Sequence, residues 1–246
     1  LAANREAMIN TVYLSRAEPI GGPVTAGHGD WFLPELTPRH DPAAARTLLA
    51  SIGLSDRDGN GTLDDAAGRA VRFSLLSQKG HATRERMASV IKSQLAAVGI
   101  TVDVSLVESG AIAARYGARD FDTIYFGFAS DTTDPTASMD YWLSSGGYHV
   151  WNPGQAKPST PWEAEIDALM HRVSTTVDQA ERRRLFAEVQ RRFDAELPVV
   201  YFVSRKVTVA TSARVRGVTA SVLSPPVLWN AEQLAIVAPS ARSPRP

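Results

Sequence analysis

The chain has 246 residues, and its 26 basic and 26 acidic side chains give a formal net charge of zero. With 44% hydrophobic and 21% charged residues, its composition is ordinary for a globular protein. A neutral chain provides no overall field that would favour nucleic acid or an anionic membrane. The absence of cysteine excludes disulfides, thiolate metal sites and cysteine nucleophiles.

The two ends of the sequence predict that it belongs to a longer polypeptide and that it finishes in a disordered tail. No apolar run approaches the ~20 residues that a transmembrane helix needs, and residues 1–10 carry charges in place of the apolar segment of a signal peptide. Because the sequence starts with Leu1 inside a predicted helix, we expect it to be a piece of a longer polypeptide. Residues 239–246 predict a disordered tail.

The first part of the chain predicts two helices separated by a loop. Residues 3–14 are typical of a helix, and the glycines and prolines of 21–38 indicate an extended loop. Asp41 is a suitable N-cap for a second helix that begins with Pro42 and ends near Ile52. Its apolar positions are expected to face inward, namely Leu48, Leu49 and Ile52.

The middle of the chain predicts a βαβ unit. Apolar residues alternate over 71–75 and again over 100–106, and a helix with one apolar stripe is expected over 83–98. Short connections of this kind require parallel strand pairing. A further helix over 109–119 leads into a strand over 121–129, so the pattern predicts an α/β fold.

The last third of the chain predicts two more amphipathic helices and two strands. A loop rich in glycine and proline covers 144–161, and Thr160 and Glu163 have the spacing of a capping box. Asp178 is the expected N-cap of the second helix. The strands are expected over 198–203 and 207–210.

Asp131 is the leading candidate for a functional residue, because it stands where an apolar strand is expected to end. Ligands of open α/β sheets bind at the carboxyl ends of the strands, so an anionic side chain there can hold a cationic ligand group. The alternative is that Asp131 and Asp134, which precedes Pro135, only form a turn and cap a helix.

Several segments carry a resemblance to a known family by their order and spacing. They are the helix at 1–14, the sequence DPAAARTLLA at 41–50, the glycine-containing hairpin at 56–71, the run at 91–102 and the sequence GFASDTTDP at 127–135. Together they resemble the extracellular solute-binding proteins of family 5, which are the peptide- and nickel-binding receptors of ABC importers. The resemblance covers residues 1–238.

The resemblance implies the C-terminal lobe of a bilobed, type II periplasmic-binding-protein fold, with a mixed, partly parallel sheet flanked by helices. Residues 1–206 would form this lobe, and 207–238 would return towards an N-terminal lobe that the sequence does not include. The implied function is capture of a peptide or related solute for an ABC transporter permease, with a nickel chelate or an oligosaccharide as alternative cargo. The implied location is the periplasm or the outer surface, with a lipid anchor as a variant.

The same resemblance assigns Asp131 to the α-ammonium group of a peptide ligand. Gly127 suits close approach of a ligand backbone, and Tyr125 stands where some relatives place a basic residue that contacts the ligand. Phe128 and Trp142 either line the pocket or belong to the core, as do the neighbouring aromatic residues. The expected ligand-binding residues are Tyr125, Gly127, Phe128, Ser130, Asp131, Thr132 and Trp142.

An acidic segment near the start of the chain has part of the pattern of a calcium loop. Asp56, Asp58, Asn60 and Asp64 fall on ligand positions, but Ala67 replaces the bidentate glutamate that completes an EF-hand. A solvated turn explains the same residues. No cofactor is therefore expected, with structural calcium as a minor alternative.

The sequence contains no motif of a known enzyme class. Its five histidines lack metal-binding spacing, and there is no nucleophile elbow and no phosphate-binding loop. We therefore expect a binding protein without catalytic activity, and a hydrolase is the alternative from another class. No nucleic-acid partner is expected.

Overall fold

The computed structural model describes residues 1–36, 38–127, 132–221 and 225–237. The α-helices in these ranges are α1 (Arg5–Val12), α2 (Pro42–Ser51), α3 (Ala82–Ala96), α4 (Ser109–Ala118), α5 (Met139–Trp142), α6 (Pro161–Thr175) and α7 (Gln179–Glu196). The strands are β1 (Ala17–Pro19), β2 (Arg72–Gln78), β3 (Thr101–Val107), β4 (Thr123–Ile124), β5 (Val203–Arg205), β6 (Val215–Arg216) and β7 (Ala235–Ile236). None of these helices is both long and apolar enough to cross a membrane.

The predicted βαβ unit is confirmed. Strands β2 and β3 pair in parallel from Arg72↔Thr101 to Gln78↔Val107, with α3 as the crossover between them. Strand β4 adds in parallel on the other side of β2, which gives the order β3-β2-β4. All three strands therefore have their carboxyl ends at the same side of the sheet, which we call the carboxyl edge. Helix α3 begins at this edge, because it follows β2 after a short turn.

Two groups of buried side chains hold the chain together. The first, the sheet core, joins α1, α3 and the sheet through Met8, Val12, Leu75, Met87, Ala88, Ile91 and Val102. The second, the helix core, joins α5, α6 and α7 to the loop before α2 through Val24, Tyr141, Trp142, Ile166, Met170, Val173, Leu185, Phe186, Val189 and Phe193. Burial of this apolar surface is the main favourable contribution to folding.

A short segment before β5 connects the two cores. Tyr201 packs against the helix core, and its neighbour Phe202 packs against the sheet core. This division follows from the alternation of side chains in extended backbone. Strand β5 then pairs in the antiparallel direction with β1, with Ala17 opposite Arg205.

The predicted caps of the C-terminal helices are confirmed. The Thr160 hydroxyl accepts a hydrogen bond from the Glu163 amide at 3.3 Å, and the Glu163 carboxylate accepts one from the Thr160 amide at 3.0 Å. The Asp178 carboxylate accepts from the Glu181 amide at 2.8 Å. These side chains satisfy N–H groups that a helix leaves unpaired at its start.

The structure differs in part from three predicted strands, which were expected over 121–129, 198–203 and 207–210. In the described part of the strand expected over 121–129, the ladder is confined to Thr123–Ile124, although the Tyr125 amide still donates to the Leu76 carbonyl at 2.8 Å. Residues 128 and 129 lie outside the described ranges. The strand expected over 198–203 lies instead at Val203–Arg205, and 207–210 is not a strand. Apolar β-branched residues favour a strand only where a partner strand is within reach, and none of the described strands lies beside 207–210.

The predicted inward face of α2 is also wrong in part. Asp41 caps this helix as expected, by accepting from the Ala44 amide at 2.9 Å. However, Leu48 and Ile52 are 60% and 68% exposed, and Ala45 is the buried position of the helix. The helix contacts the end of α3 through the Arg46 guanidinium, which donates to the Ala97 carbonyl at 2.8 Å.

Candidate functional site

The carboxyl edge of the parallel sheet is where the sequence places most of the expected ligand-binding residues. Strand β2 ends at Gln78, and the segment after β4 runs through Tyr125 to Gly127. Ligands of open α/β sheets bind in this position, because the strands end there and the loops leave room between them. The positions of the side chains at this edge therefore show which of the expected residues come together.

Arg84 lies at this edge, in the first turn of α3. Its Nη1 donates a short hydrogen bond to the Gln78 side-chain oxygen, and its Nη2 lies 3.8 Å from the position that a Cβ atom would take at Gly127. The His81 ring caps α3 by accepting from the Arg84 amide at 3.4 Å. The guanidinium group is therefore held between the ends of β2 and β4.

Tyr125 lies beside this group and is partly buried. Its hydroxyl is 3.5 Å from that of Tyr13, and its ring meets Phe202 edge-on with centroids 6.1 Å apart. Burial raises the pKa of Tyr125, as does the hydrogen bond with Tyr13, whereas the positive charges of Arg84 and Arg205 lower it in part. The phenol is therefore neutral at pH 7 and can donate a hydrogen bond.

Gly127 is exposed, as expected of a position that a ligand backbone approaches. Among the described atoms, the Arg84 guanidinium is the one neighbour that an added Cβ would meet within 4 Å. A main chain can therefore come close to this residue from the solvent side. Phe128, Ser130 and Asp131 lie outside the described residues, so their roles stay predictions.

Thr132 and Asp134 fix the segment that follows. The Thr132 hydroxyl donates to the Asp134 carbonyl at 3.0 Å and accepts from the Asp134 amide at 3.2 Å. The Asp134 carboxylate accepts from the Thr136 amide and hydroxyl at 2.9 and 2.6 Å, and from the Arg182 guanidinium at 3.0 Å. Burial opposes its ionisation, but these hydrogen bonds from Thr136 and Arg182 lower the pKa of Asp134 overall. Asp134 thus caps the short helix that follows it, as the turn-and-cap interpretation of this residue expects.

Trp142 is a core residue in this structure. Its side chain is 2% exposed, its ring contacts Phe186 and Phe193 with centroids 5.2 and 5.5 Å apart, and its Nε1 donates to the Pro135 carbonyl at 3.1 Å. Burial favours the core alternative for Trp142, and its ligand-binding role stays a prediction. Of the neighbouring aromatic residues, Tyr141 contacts Trp151 with ring centroids 5.6 Å apart, whereas Tyr148 is 65% exposed.

A match to a protein-family model shows the family of the chain that carries this edge. The model of the bacterial extracellular solute-binding proteins, family 5 Middle, matches residues 1–149. The chain belongs to this family. The matched residues include the whole three-stranded sheet, α1 to α5 and the carboxyl edge.

Individual proteins are similar to this chain over most of its length. A probable ABC transporter-binding protein of Deinococcus radiodurans is 26% identical over 227 residues, which cover 87% of this chain and 38% of that protein. The structure of the oligopeptide-binding protein AppA from Bacillus subtilis, in complex with a nonapeptide, superimposes with a TM-score of 0.76 at 21% identity. NikA from Brucella suis, in complex with Fe(III)-EDTA, superimposes with a TM-score of 0.77 at 22% identity.

Each of these two structures is matched over 96% of this chain and 46% of its own length. The expected fold, a lobe of a type II periplasmic-binding protein, is therefore confirmed. The chain spans less than half the length of the relatives that it matches.

The acidic loop near the start of the chain is closed by its own side chains. The Asp56 carboxylate accepts from the amides of Gly59, Asn60 and Gly61 at 2.9 to 3.1 Å, and the Asp64 carboxylate accepts from the Arg57 amide at 3.2 Å. Across the described part of the chain, no group of three or more histidine, aspartate or glutamate side chains is placed to hold a metal ion. The expectation of no cofactor stays a prediction, and structural calcium stays its minor alternative.

Sequence reasoning did not single out Arg84, which lies at the carboxyl edge. A cation in the first turn of a helix opposes the helix dipole, which favours acidic side chains there. Arg84 departs from this rule, whereas its neighbour Glu85 in the same turn follows it.

Proposed function

We propose that this chain is one lobe of the substrate-binding component of an ABC importer, and that it captures peptides or related small solutes. The observation that carries the proposal is the carboxyl edge, where the backbone at Gly127 is open to solvent beside the polar groups of Arg84 and Tyr125. Membership of family 5 supports a receptor of this class. The AppA structure, which holds a nonapeptide, supports peptides as the cargo.

The length of the relatives supports a two-lobed protein. We propose that residues 1–206 form one lobe, that 207–238 return towards a second lobe, and that 239–246 form a tail. A ligand between two lobes is covered on both sides, and the loss of water on closure strengthens its polar contacts. One lobe alone offers half of this groove, so we expect weak affinity from this chain by itself.

Recognition of a peptide at this edge would combine main-chain and charged contacts. An extended peptide exposes N–H and C=O groups whatever its sequence, and a receptor that pairs with them accepts many peptides. Asp131 is the proposed partner of the ligand's α-ammonium group. A charge-assisted hydrogen bond of this kind contributes about 1.5–3 kcal/mol.

A second cargo class is favoured by one observation. The NikA structure, which holds Fe(III)-EDTA, matches this chain as well as the peptide-bound AppA structure does. Because the likeness in fold does not distinguish a peptide receptor from a chelate receptor, a metal chelate is the alternative cargo. An oligosaccharide is a further alternative. We propose that the protein releases its ligand unchanged and has no catalytic activity.

We propose that the protein works in the periplasm or on the outer surface of the cell. In an alternative form of this proposal, a lipid anchor holds it at the membrane. Its partners would be the solute, the second lobe and the membrane permease of the importer. No nucleic-acid partner is proposed.

The test uses the two-lobed polypeptide that carries this chain. We expect native mass spectrometry of the purified protein to show a co-purified peptide. In the Asp131→Asn variant, affinity for tripeptides with a free α-amine should fall at least about tenfold, which corresponds to one charge-assisted hydrogen bond. Affinity for the N-acetylated tripeptides should not change.

Equal loss for free and acetylated peptides would contradict the role of Asp131. A co-purified metal chelate or sugar in place of a peptide would move the assignment to the alternative cargo. Conversion of the bound peptide into shorter fragments would contradict the proposal of a receptor without catalytic activity.

A further inference from the structure

We propose that a cavity between α7 and the loop before α2 binds a small protonated amine, with Asp194 and Gln190 as its hydrogen-bond acceptors. This site is separate from the one proposed for the captured solute, since α7 belongs to the helix core and not to the sheet core. Of the described residues expected to bind that solute, Trp142 is the one that also lines the cavity.

The cavity has apolar walls and two polar side chains. The covering loop, residues 19–36, lines one side, and Trp142 and Phe193 line the other. Gln190 and Asp194, one helical turn apart on α7, are the polar side chains among the described residues that line it. The enclosed space of about 20 Å³ takes one group of the size of a water molecule. Asp194 is half-buried, so a solute can reach it from outside.

Polar and aromatic contacts hold the covering loop on α7. The Trp31 carbonyl accepts a hydrogen bond from Gln190 Nε2 at 3.0 Å, and the Glu35 carboxylate accepts one from the Arg191 guanidinium at 3.0 Å. The Trp31 ring meets Phe186 edge-on with centroids 5.7 Å apart, which anchors the loop to the helix core. The fold itself therefore forms the cavity.

Gln190 presents an acceptor that the protein does not use. The side chain is buried, with 7% of the residue exposed. Because a carbonyl can only accept, the NH₂ group of Gln190 has to face the Trp31 carbonyl, and this fixes the orientation of the amide. Its Oε1 accepts no hydrogen bond from the described residues. A buried acceptor without a donor is costly, so a donor from a bound group would be stabilising here.

Asp194 presents a negative charge that the described residues do not neutralise. The other acids of α7, Glu181, Glu188 and Glu196, each pair with an arginine. Asp194 has no such partner, and burial raises its pKa. Residue 37, which lies outside the described ranges beside the covering loop, is a threonine and carries no charge. A half-buried carboxylate of this kind favours a cation that joins it.

The two acceptors and the apolar walls together fit an ammonium group. An ammonium carries several N–H donors, so one can reach the carboxylate while another reaches the amide oxygen. Calcium or magnesium needs six or more oxygen ligands, whereas the described side chains of this cavity offer one carboxylate and one amide. A guanidinium is larger than the enclosed space. Ammonium and methylammonium therefore match both the size and the chemistry of the site.

The experiment uses radiolabelled methylammonium and the two-lobed polypeptide in equilibrium dialysis. Ionic strength is kept constant with tetramethylammonium chloride, whose cation has the same charge but no N–H donor and is too large for the enclosed space. We expect the protein to bind methylammonium under these conditions. An excess of methanol, a neutral molecule of similar size, should not displace the probe.

The variant Asp194→Asn removes the charge with little change in shape. We expect its affinity for methylammonium to fall at least about tenfold, as for one charge-assisted hydrogen bond. The matched control is Glu196→Gln, which removes the same charge from an exposed position two residues along α7 and should keep the affinity. Asp131→Asn should also keep it, since Asp131 is the proposed partner of the captured solute.

The outcomes separate this site from peptide capture. No binding of methylammonium by the parent protein, or equal binding by Asp194→Asn, overturns the amine site and leaves a cavity for water only. Loss of the probe in Asp131→Asn but not in Asp194→Asn overturns it as well, because the amine then binds with the captured solute. Tripeptide affinity, measured in parallel, should be equal in Asp194→Asn and the parent, which also shows that the variant is folded.

Discussion

The guanidinium group of Arg5 donates two hydrogen bonds, of 2.9 and 2.7 Å, to the backbone carbonyl of Tyr201, which lies 196 residues later in the chain. Arg5 is buried, and burial lowers its pKa to about 10. It therefore stays charged at pH 7, and the two hydrogen bonds offset part of the cost of its burial. The contact ties α1 to the segment that joins the two cores.

Replacement of Arg5 by lysine is expected to destabilise the protein. An ammonium group keeps the charge but cannot reproduce the two donors of a planar guanidinium. We expect the free energy of unfolding to fall by about 2 kcal/mol, which is the loss of one charge-assisted hydrogen bond. Urea denaturation followed by tryptophan fluorescence measures this change. The exposed Arg16→Lys substitution is the control, and equal stability of both variants would contradict the assigned role of Arg5.

Glu163 gives the protein a specific sensitivity to acid. Burial opposes its ionisation, but hydrogen bonds from Ser159, His149 and Trp151 hold the pKa of Glu163 at about 2, below its ordinary value of 4.5. Because the folded pKa is lower than the unfolded one, the ionised form stabilises the fold above pH 4.5. That stabilisation is lost as the pH falls from 4.5 through 2.

The Glu163→Gln variant isolates this effect. We expect it to be less stable than the parent by about 3 kcal/mol at pH 7, and by less than about 1 kcal/mol at pH 2.5. Denaturant titrations of both proteins at the two pH values give the difference. Glu165→Gln, at an exposed position of the same helix, should show little change at either pH. A constant difference at both pH values would show that ionisation of Glu163 is not its source.

Substitution of Trp142 tests whether its side chain belongs to the ligand pocket or to the core. The Trp142→Phe variant loses the Nε1 donor to the Pro135 carbonyl and leaves a small cavity, so we expect a loss of about 1–3 kcal/mol of stability. Peptide affinity should not change, because the ring is buried. The exposed Trp229→Phe substitution is the control for loss of an indole. Weaker peptide binding at unchanged stability would instead support a place for Trp142 in the ligand site.

The loop at Asp56 is expected to keep its conformation without calcium. Its carboxylate is already occupied by three backbone amides, which close the turn. We therefore expect the melting temperature to differ by less than about 1 °C between calcium and chelator, since a ligand stabilises only the state that it binds. Scanning calorimetry measures this difference. A calcium-dependent rise that disappears in Asp58→Asn would show that the loop binds the ion.

The βαβ unit and the helix caps could be predicted from the sequence because their causes are local. Alternating apolar residues in β2 and β3 need only the period of a strand, and Asp41, Thr160 and Asp178 cap the helices that directly follow them. The position of Asp134 at a turn was also foreseeable, since aspartate before proline is typical of one.

Features that depend on distant parts of the chain were missed. Whether Val207 joins a strand depends on a partner, and Leu48 is exposed because nothing in the described ranges packs over that side of α2. Arg84 looks like an ordinary surface cation until the carboxyl ends of β2 and β4 are brought together around it. The sequence therefore predicted the edge of the sheet that forms the candidate site, but not every side chain that lies there.

The adjacency of Tyr201 and Phe202 fixes the position of the segment before β5. The Tyr201 hydroxyl lies 2.6 Å from that of Tyr141, whereas the ring of Phe202 meets Tyr125. Sliding this segment by one position would push a phenol into an apolar site and pull a hydrocarbon ring away from its own. The register of this segment is therefore fixed against both cores at once.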